Sequence, residues 1–212
     1  GCWNWFDTQS GRAHGEAALI MKAIDQVCLL YAADRTRVAV AGLSAGASMA
    51  ALLVARHPER FKAVMMHSGI PPGTAHSTLS AIGAMHGLRG TKPLPAAPQT
   101  LVAASWPPLM VVHGSDDRVV SVNNGHAAVQ VWAEAAGARP GEPRSVQRGQ
   151  RHATTVTDFK LRRKTLATLV EVNGLGHAWS GGAPQQPFSD SMGPDASRML
   201  WAFAAKQFRA GT

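Results

Sequence analysis

Arg37-Val38-Ala39-Val40-Ala41-Gly42-Leu43-Ser44-Ala45-Gly46 runs directly into Ala47 to Arg56, and this stretch decides the fold. Residues 37–41 form a short apolar run with β-branched members and end at a glycine, the pattern of a strand buried on both faces. Residues 45–56 are rich in Ala and Leu and apolar nearly all round, which predicts a buried helix. His57-Pro58 stops it, because proline supplies no amide and clashes with the preceding turn. A buried strand feeding a buried helix through a tight turn is the unit of a parallel sheet covered by helices.

The same alternation continues in both directions. Apolar spacing predicts a helix over 15–31 with Ile20, Ile24, Val27, Cys28 and Tyr31 on one buried stripe. Residues 61–66, 109–112 and 166–172 read as further buried strands, and the threonine-rich 153–159 as a weaker one. Helices are expected over 123–136, closed by Gly137, and over 196–208. Between them, residues 71–108 carry seven prolines and only helical scraps such as 79–85. A connection that long in a compact domain is usually a binding loop or lid, so 71–108 is expected to be a lid-like insertion in one α/β domain spanning 1–212.

Composition narrows the class. The chain has 212 residues, 45% of them apolar, enough for a core and too many for a disordered chain. No run of eighteen apolar residues exists to span a membrane. Two cysteines are too few for a disulfide scaffold or a four-cysteine zinc site. The net charge of +8 is concentrated: Arg139, Arg144, Arg148, Arg151, Lys160, Arg162, Arg163 and Lys164 lie in one stretch. Only Phe159 interleaves that stretch as an aromatic, and prolines break it, so it reads as a solvated basic surface rather than a nucleic-acid contact.

Ligands in parallel α/β sheets bind beyond the carboxyl ends of the strands, and the chemistry-bearing residues all fall there. Gly42-Leu43-Ser44-Ala45-Gly46 is a G-x-S-x-G sequence between strand and helix. A serine on such a sharp turn projects its hydroxyl above the sheet, and the flanking glycines keep Cβ atoms out of crowded positions. Ser44 is the candidate nucleophile, and the Ala45 amide at the helix start is the candidate oxyanion donor. A hydroxyl needs a base, and the base an orienting acid, following the serine as acid and then histidine. After the third strand comes His113-Gly114-Ser115-Asp116-Asp117, with two acids in place. After the fourth comes Asn173-Gly174-Leu175-Gly176-His177-Ala178-Trp179. Among nine histidines, His177 alone follows the last strand in a glycine-rich turn. His67 and His113 close strands, as lining residues or as hydrogen-bonded packing. Trp179 and Trp5 are candidate walls for an acyl or alcohol group, or core tryptophans.

Cys2-Trp3-Asn4-Trp5-Phe6, Gly15-Glu16, Gly42 to Gly46, His67-Ser68-Gly69, His113-Gly114-x-x-Asp117-x-x-Val120 and Gly174-x-Gly176-His177-x-Trp179-Ser180-Gly181-Gly182 occur in this order. Together they resemble the polyhydroxybutyrate depolymerase esterase family. This is an α/β-hydrolase branch related to feruloyl and acetylxylan esterases, and the likeness runs over nearly the whole chain. It implies a mainly parallel sheet with helices on both faces. It also implies hydrolysis of carboxylic or polyester bonds through an acyl-enzyme, without metal or organic cofactor. The resemblance assigns Ser44 as nucleophile, His177 as base and Asp117, rather than Asp116, as the acid. Feruloyl or acetylxylan cleavage is the rival within that reading, and a catalytically silent binding module the rival outside it.

The family pattern also carries an upstream segment of several strands, with a histidine-glycine loop supplying a second oxyanion amide and a cysteine that pairs with the one at Cys2. By that pattern this sequence is expected to lack the N-terminal strands and to leave the 37–41 strand as an apolar sheet edge. The same pattern points to an extracellular or periplasmic setting. It leaves the oligomeric state open.

Overall fold

The computed structural model describes residues 2–88 and 106–209. In chain order the first half holds α1 (Arg12–Leu30), β1 (Ala39–Leu43), α2 (Ala45–Arg56), a single 3₁₀ turn at Pro58–Arg60, β2 (Ala63–His67) and α3 (Thr78–Met85). The second half holds β3 (Leu109–Gly114), α4 (Asn123–Ala136), β4 (Arg139–Pro140), β5 (Arg144–Val146), β6 (Thr154–Leu161), β7 (Lys164–Val172), β8 (Trp179–Ser180), β9 (Ser189–Asp190) and α5 (Ala196–Arg209).

The main sheet runs β1-β2-β3-β7-β6-β4, with β5 also paired to β6. Strands β1, β2, β3 and β7 are mutually parallel. The β6–β7 hairpin and the short β4 and β5 add an antiparallel flank. Both sheet faces are covered, as the apolar strands require, and the side-chain alternation of each strand sorts its residues between two cores. Val64, Met66, Leu109, Val111 and Leu169 face one core with residues of α1, α2 and α4, including Met49, Leu53 and the fully buried Trp132. Met65, Val112, Val170 and Val172 face the other, closed by Ala196, Met199 and Leu200 of α5. Trp132 carries its polar edge into the first core and satisfies it by donating Nε1–H to the Pro107 carbonyl at 2.9 Å.

Helices α2 and α4 have the expected bounds, and α4 closes on Gly137 in the left-handed region (φ 65°). Three expectations are corrected. The first strand starts at Ala39 and runs to Leu43, two residues later than its β-branched core suggests. The buried face of α1 is Ala13, Ala17, Met21 and Cys28, whereas Val27 and Tyr31 of the expected stripe point outward. The basic stretch after α4 is not all loop, since it contributes β4 and β5, although residues 139–151 remain exposed. Asp158 partners Arg144 there at 2.7 Å.

Of the expected lid, residues 71–88 pack one side inward: Thr74, Ala75, Ala81 and Ala84 are buried while Leu79, Ile82 and Leu88 are exposed, and Asn124 at the start of α4 donates to the Ala84 carbonyl at 2.9 Å. Residues 89–105 of that expectation lie outside the described residues. Among the described residues β1 pairs with β2 alone. No helix among them is long and apolar enough to cross a membrane.

Candidate active site

Close approach in the turn from β1 to α2 requires the first of the two expected glycines and not the second, since a Cβ on Gly46 would meet only the Trp3 indole at 3.9 Å. A Cβ on Gly42 would stand 2.2 Å from the Gly46 carbonyl carbon, so only glycine lets the helix start fold back over the strand end. Ser44 between them takes φ 55° and ψ −122°. A serine gains nothing locally from that strained conformation, which the surroundings impose. Its amide is fixed by a 2.9 Å bond to the His67 carbonyl at the end of β2. The hydroxyl makes no hydrogen bond among the described residues and lines a cavity of about 630 Å³. Ala45, the first residue of α2, lines the same cavity where the helix presents its unsatisfied amides.

The carboxyl end of β3 supplies the acid. Asp117 is buried, with Oδ1 accepting the amides of Val119 at 3.0 Å and Val120 at 2.8 Å. Its Oδ2 lies 2.8 Å from His177 Nδ1 and 3.5 Å from Nε2 of His113. Burial alone would raise this carboxyl, but hydrogen bonds from His113, His177 and the Val120 amide outweigh it and hold the group well below the usual carboxylate range. The neighbouring Asp116 is exposed and accepts from its own neighbour, Ser115 Oγ, at 2.7 Å. Of the two acids offered by the sequence, Asp117 is the one joined to His177.

The turn after β7 carries His177. It sits over the end of β3, where the Asp116 amide donates to the Leu175 carbonyl at 3.1 Å. A Cβ on Gly114 would meet that same carbonyl at 2.0 Å, so the glycine of His113-Gly114 lets the two loops touch. His177 faces the Ser44 cavity. Beyond it, β8 pairs with β9 and is pinned to β2: the Ser180 amide donates to His67 Nε2 at 3.1 Å, and the Trp179 indole stacks on the His67 ring at 5.0 Å between centroids. Burial, then the fields of His113 and His177, lower His67 from its ordinary value to about 3 against the opposing pull of Asp117.

Ser44, Ala45 and His177 therefore meet at one cavity, and Asp117 reaches it through His177. The remaining sequence candidates lie elsewhere. His67 is fully buried and packs beneath Trp179, whose Nε1–H donates to Ser197 Oγ at 3.1 Å. Trp5 is buried in the first core, edge-on to Phe6, because the Asn4 amides anchored on Glu16 turn it inward. The tryptophan on the cavity wall is Trp3. Phe188, which the sequence reading missed, lines the same cavity. It is held at φ 54° by the β8–β9 return, where the Trp179 amide donates to its carbonyl at 2.7 Å. The available signal was the Gly181-Gly182 pair, since a Cβ on Gly182 would stand 2.1 Å from Ser189 Oγ. No group of three or more His, Cys, Asp or Glu side chains among the described residues is placed to hold a metal ion.

A mainly parallel sheet with helices on both faces and a serine elbow at a strand end is the α/β-hydrolase fold. Solved structures agree at the level of fold. The chain superposes on an acetyl xylan esterase from Aspergillus awamori with a TM-score of 0.61 and 22% identity, over 84% of this chain and 68% of that one. On Arabidopsis thaliana SOBER1 it gives 0.53 and 18%, over 93% and 65%. The model of the family described as Esterase PHB depolymerase matches residues 1–145, and the chain belongs to that family. It is 32% identical over 137 residues to poly(3-hydroxyalkanoate) depolymerase C of Paucimonas lemoignei, covering 61% of this chain and 33% of that protein. It is 26% identical over 159 residues to a probable acetylxylan esterase A of Aspergillus fumigatus, covering 69% and 43%. The chain thus spans between a third and a half of the length of these curated relatives.

Proposed function

We propose that this chain is a serine esterase that cleaves carboxylic ester bonds through an acyl-enzyme on Ser44, with His177 as base and Asp117 as its orienting acid. The observation that carries this reading is the 2.8 Å bond from His177 Nδ1 to Asp117 Oδ2, made by a histidine that faces the cavity holding the strained Ser44. In the resting arrangement Ser44 Oγ is unbonded, and such contacts tighten when substrate arrives. His177 Nε2 takes the Ser44 proton as the oxygen attacks the ester carbonyl, while Asp117 fixes the ring's tautomer and faces its growing charge. The Ala45 amide receives the oxyanion. His177 returns the proton to the departing alcohol, and water then attacks the acyl carbonyl with the same base.

The substrate class follows the polyester-cleaving relative. The walls around Ser44 include Trp3, Ile20, Met49 and Phe188, which suit an apolar hydroxyalkanoate acyl chain. Acetylxylan cleavage is the second reading, favoured by relatives that match a longer part of the chain. The enzyme's setting is extracellular or periplasmic in this reading, where the exposed Cys2 thiol can enter a disulfide. The test is release of p-nitrophenol from its acetate and butyrate esters, against Ser44→Ala. Loss of about 10⁶-fold in kcat is expected, by analogy with serine hydrolases; equal rates for the two proteins would sink the proposal. Product release from 3-hydroxybutyrate oligomers or from acetylated xylan then separates the two substrate classes.

A further inference from the structure

A second imidazole reaches Asp117, and it is fully buried. His113 closes β3 on the sheet face opposite to His67, and its side chain is fully buried. Its Nε2 lies 2.9 Å from the Val120 carbonyl and 3.5 Å from Asp117 Oδ2. A carbonyl can only accept, so the ring proton sits on Nε2, with its shorter arm to Val120 and its longer reach to the carboxylate. The other ring nitrogen, Nδ1, is buried and has no partner among the described residues. It abuts Gly125 in the first turn of α4, where a Cβ would stand only 2.9 Å from it. A buried polar atom left unmatched is costly, and evolution rarely keeps one that packing alone could replace with an apolar ring.

The turn explains its use. Val120 gives its amide to Asp117 Oδ1 and its carbonyl to His113, while Oδ2 faces His113 on one side and His177 on the other. The carboxylate plane is thereby set from three directions. We propose that His113 is a positioning residue, whose Nε2–H ties the Val119-Val120 turn to Asp117 and so aims Oδ2 at His177 Nδ1. The inference rests on reading Ser44, His177 and Asp117 as the triad, but the geometry it assigns can be measured without turnover. Gly125 belongs to the same device, as the only residue type that leaves room for the ring.

The experiment compares the full chain with His113→Leu, His113→Gln and Gly125→Ala, each also combined with Asp117→Ala. Two readouts are taken: the downfield proton NMR signal of the His177 Nδ1–H held by Asp117, and kcat and KM for p-nitrophenyl acetate. Leucine should broaden the signal away and lower kcat on the order of 10²-fold with KM unchanged, the scale of a displaced reacting group. Glutamine keeps an N–H near the Nε2 position and should restore both to within a few-fold, while Gly125→Ala, which displaces the ring without removing it, should fall between. In the Asp117→Ala background the leucine variant should cost nothing further, since coupled residues are not additive. A signal and kcat unaffected by His113→Leu, no such signal in the native chain, or an equal loss in the Asp117→Ala background would each overturn the proposal. If the signal depends on His113 but native turnover does not depend on Ser44, the positioning stands and the esterase reading fails.

Discussion

Ser180 donates its amide to Nε2 of His67 across 3.1 Å, although 113 residues separate them. The accepting nitrogen cannot carry a proton, so the ring's hydrogen lies on Nδ1, which donates to Ser68 Oγ at 3.2 Å. With the Trp179 stack above it, the His67 ring locks the strand that follows His177 to the end of β2, the same strand end that holds the Ser44 amide. The serine loop and the histidine loop are thus referred to one fixed point.

That arrangement makes stability depend on pH in a defined window. The folded His67 titrates at about 3, below its ordinary value of 6.5. Between those values the unfolded chain binds the proton and the folded chain does not, so stability is complete above about pH 6.5 and is lost as pH falls towards 3. Asp117 has the same sign but acts only below the ordinary carboxylate value of 3.8, so the interval from 6.5 to 4 belongs to histidines: to His67 and to His14, which burial and then the field of Arg56 also lower. Replacing His67 with glutamine, which can still accept from Ser180, should flatten the decline of the thermal midpoint in that interval. An unchanged slope would show that another group sets it.

Two adjacent acids give a clean discrimination. Asp117 has four donors around it, including His177, while Asp116 is exposed and bonded to Ser115. Asp117→Asn should lower kcat on the order of 10⁴-fold, because an amide in that place no longer fixes the tautomer of His177. Asp116→Asn should stay within a few-fold of the native chain. Steady-state kinetics on a p-nitrophenyl ester decide it, and the reverse ranking would move the acid to Asp116.

The elements that sequence reading located best are those where local chemistry and tertiary demand coincide. Helix α2 begins at the elbow because Gly42 allows it and ends where Pro58 removes an amide, so both limits are written locally. Helix α4 likewise ends at Gly137. For α1 the periodicity announced a helix but not its contacts. The small residues Ala13 and Ala17 turn inward because α2 packs close, and that leaves Val27 and Tyr31 outside. Ser44, Asp117 and His177 were legible as candidates because each lies in the turn beyond the carboxyl end of a strand, where a parallel sheet gathers its loops. Phe188 and Trp3 were not, since a β8–β9 return and the segment before α1 reach the cavity through contacts that no local period encodes. The roles of His67 and His113 depend on which nitrogen has which neighbour, and that exists only in three dimensions.

The turn at Ser44 tolerates no side chain at Gly42. A Cβ there would lie 2.2 Å from Gly46 C and 2.6 Å from Ala47 N, backbone atoms that cannot swing aside. Gly42→Ala should therefore destabilise the chain by about 1–3 kcal/mol or more in urea unfolding, as overpacking does. Gly15→Ala is the control, because the open space around that residue leaves a methyl group unopposed. Equal midpoints for the two variants would mean that the elbow can relax, and the strain assigned to Ser44 would lose its support.

Phe188 offers the sharpest handle on what the cavity accepts. The side chain is 68% exposed, unusual for a phenylalanine, yet its backbone is held at positive φ by the bond from the Trp179 amide. A largely exposed aromatic ring that lines the same cavity as Ser44 and His177 can be covered by a bound acyl chain. Covering a ring of that size is worth about 1.5–3 kcal/mol when complete, and a rim position gives part of it. Phe188→Ala should accordingly raise KM for p-nitrophenyl butyrate roughly three- to tenfold while leaving kcat unchanged, the mark of binding that is equal in ground and transition states. The acetate ester, with a shorter acyl chain to cover the ring, should show a smaller change. A parallel loss on both esters would instead place Phe188 in the support of the His177 loop, and a loss confined to kcat would give it a part in the transition state.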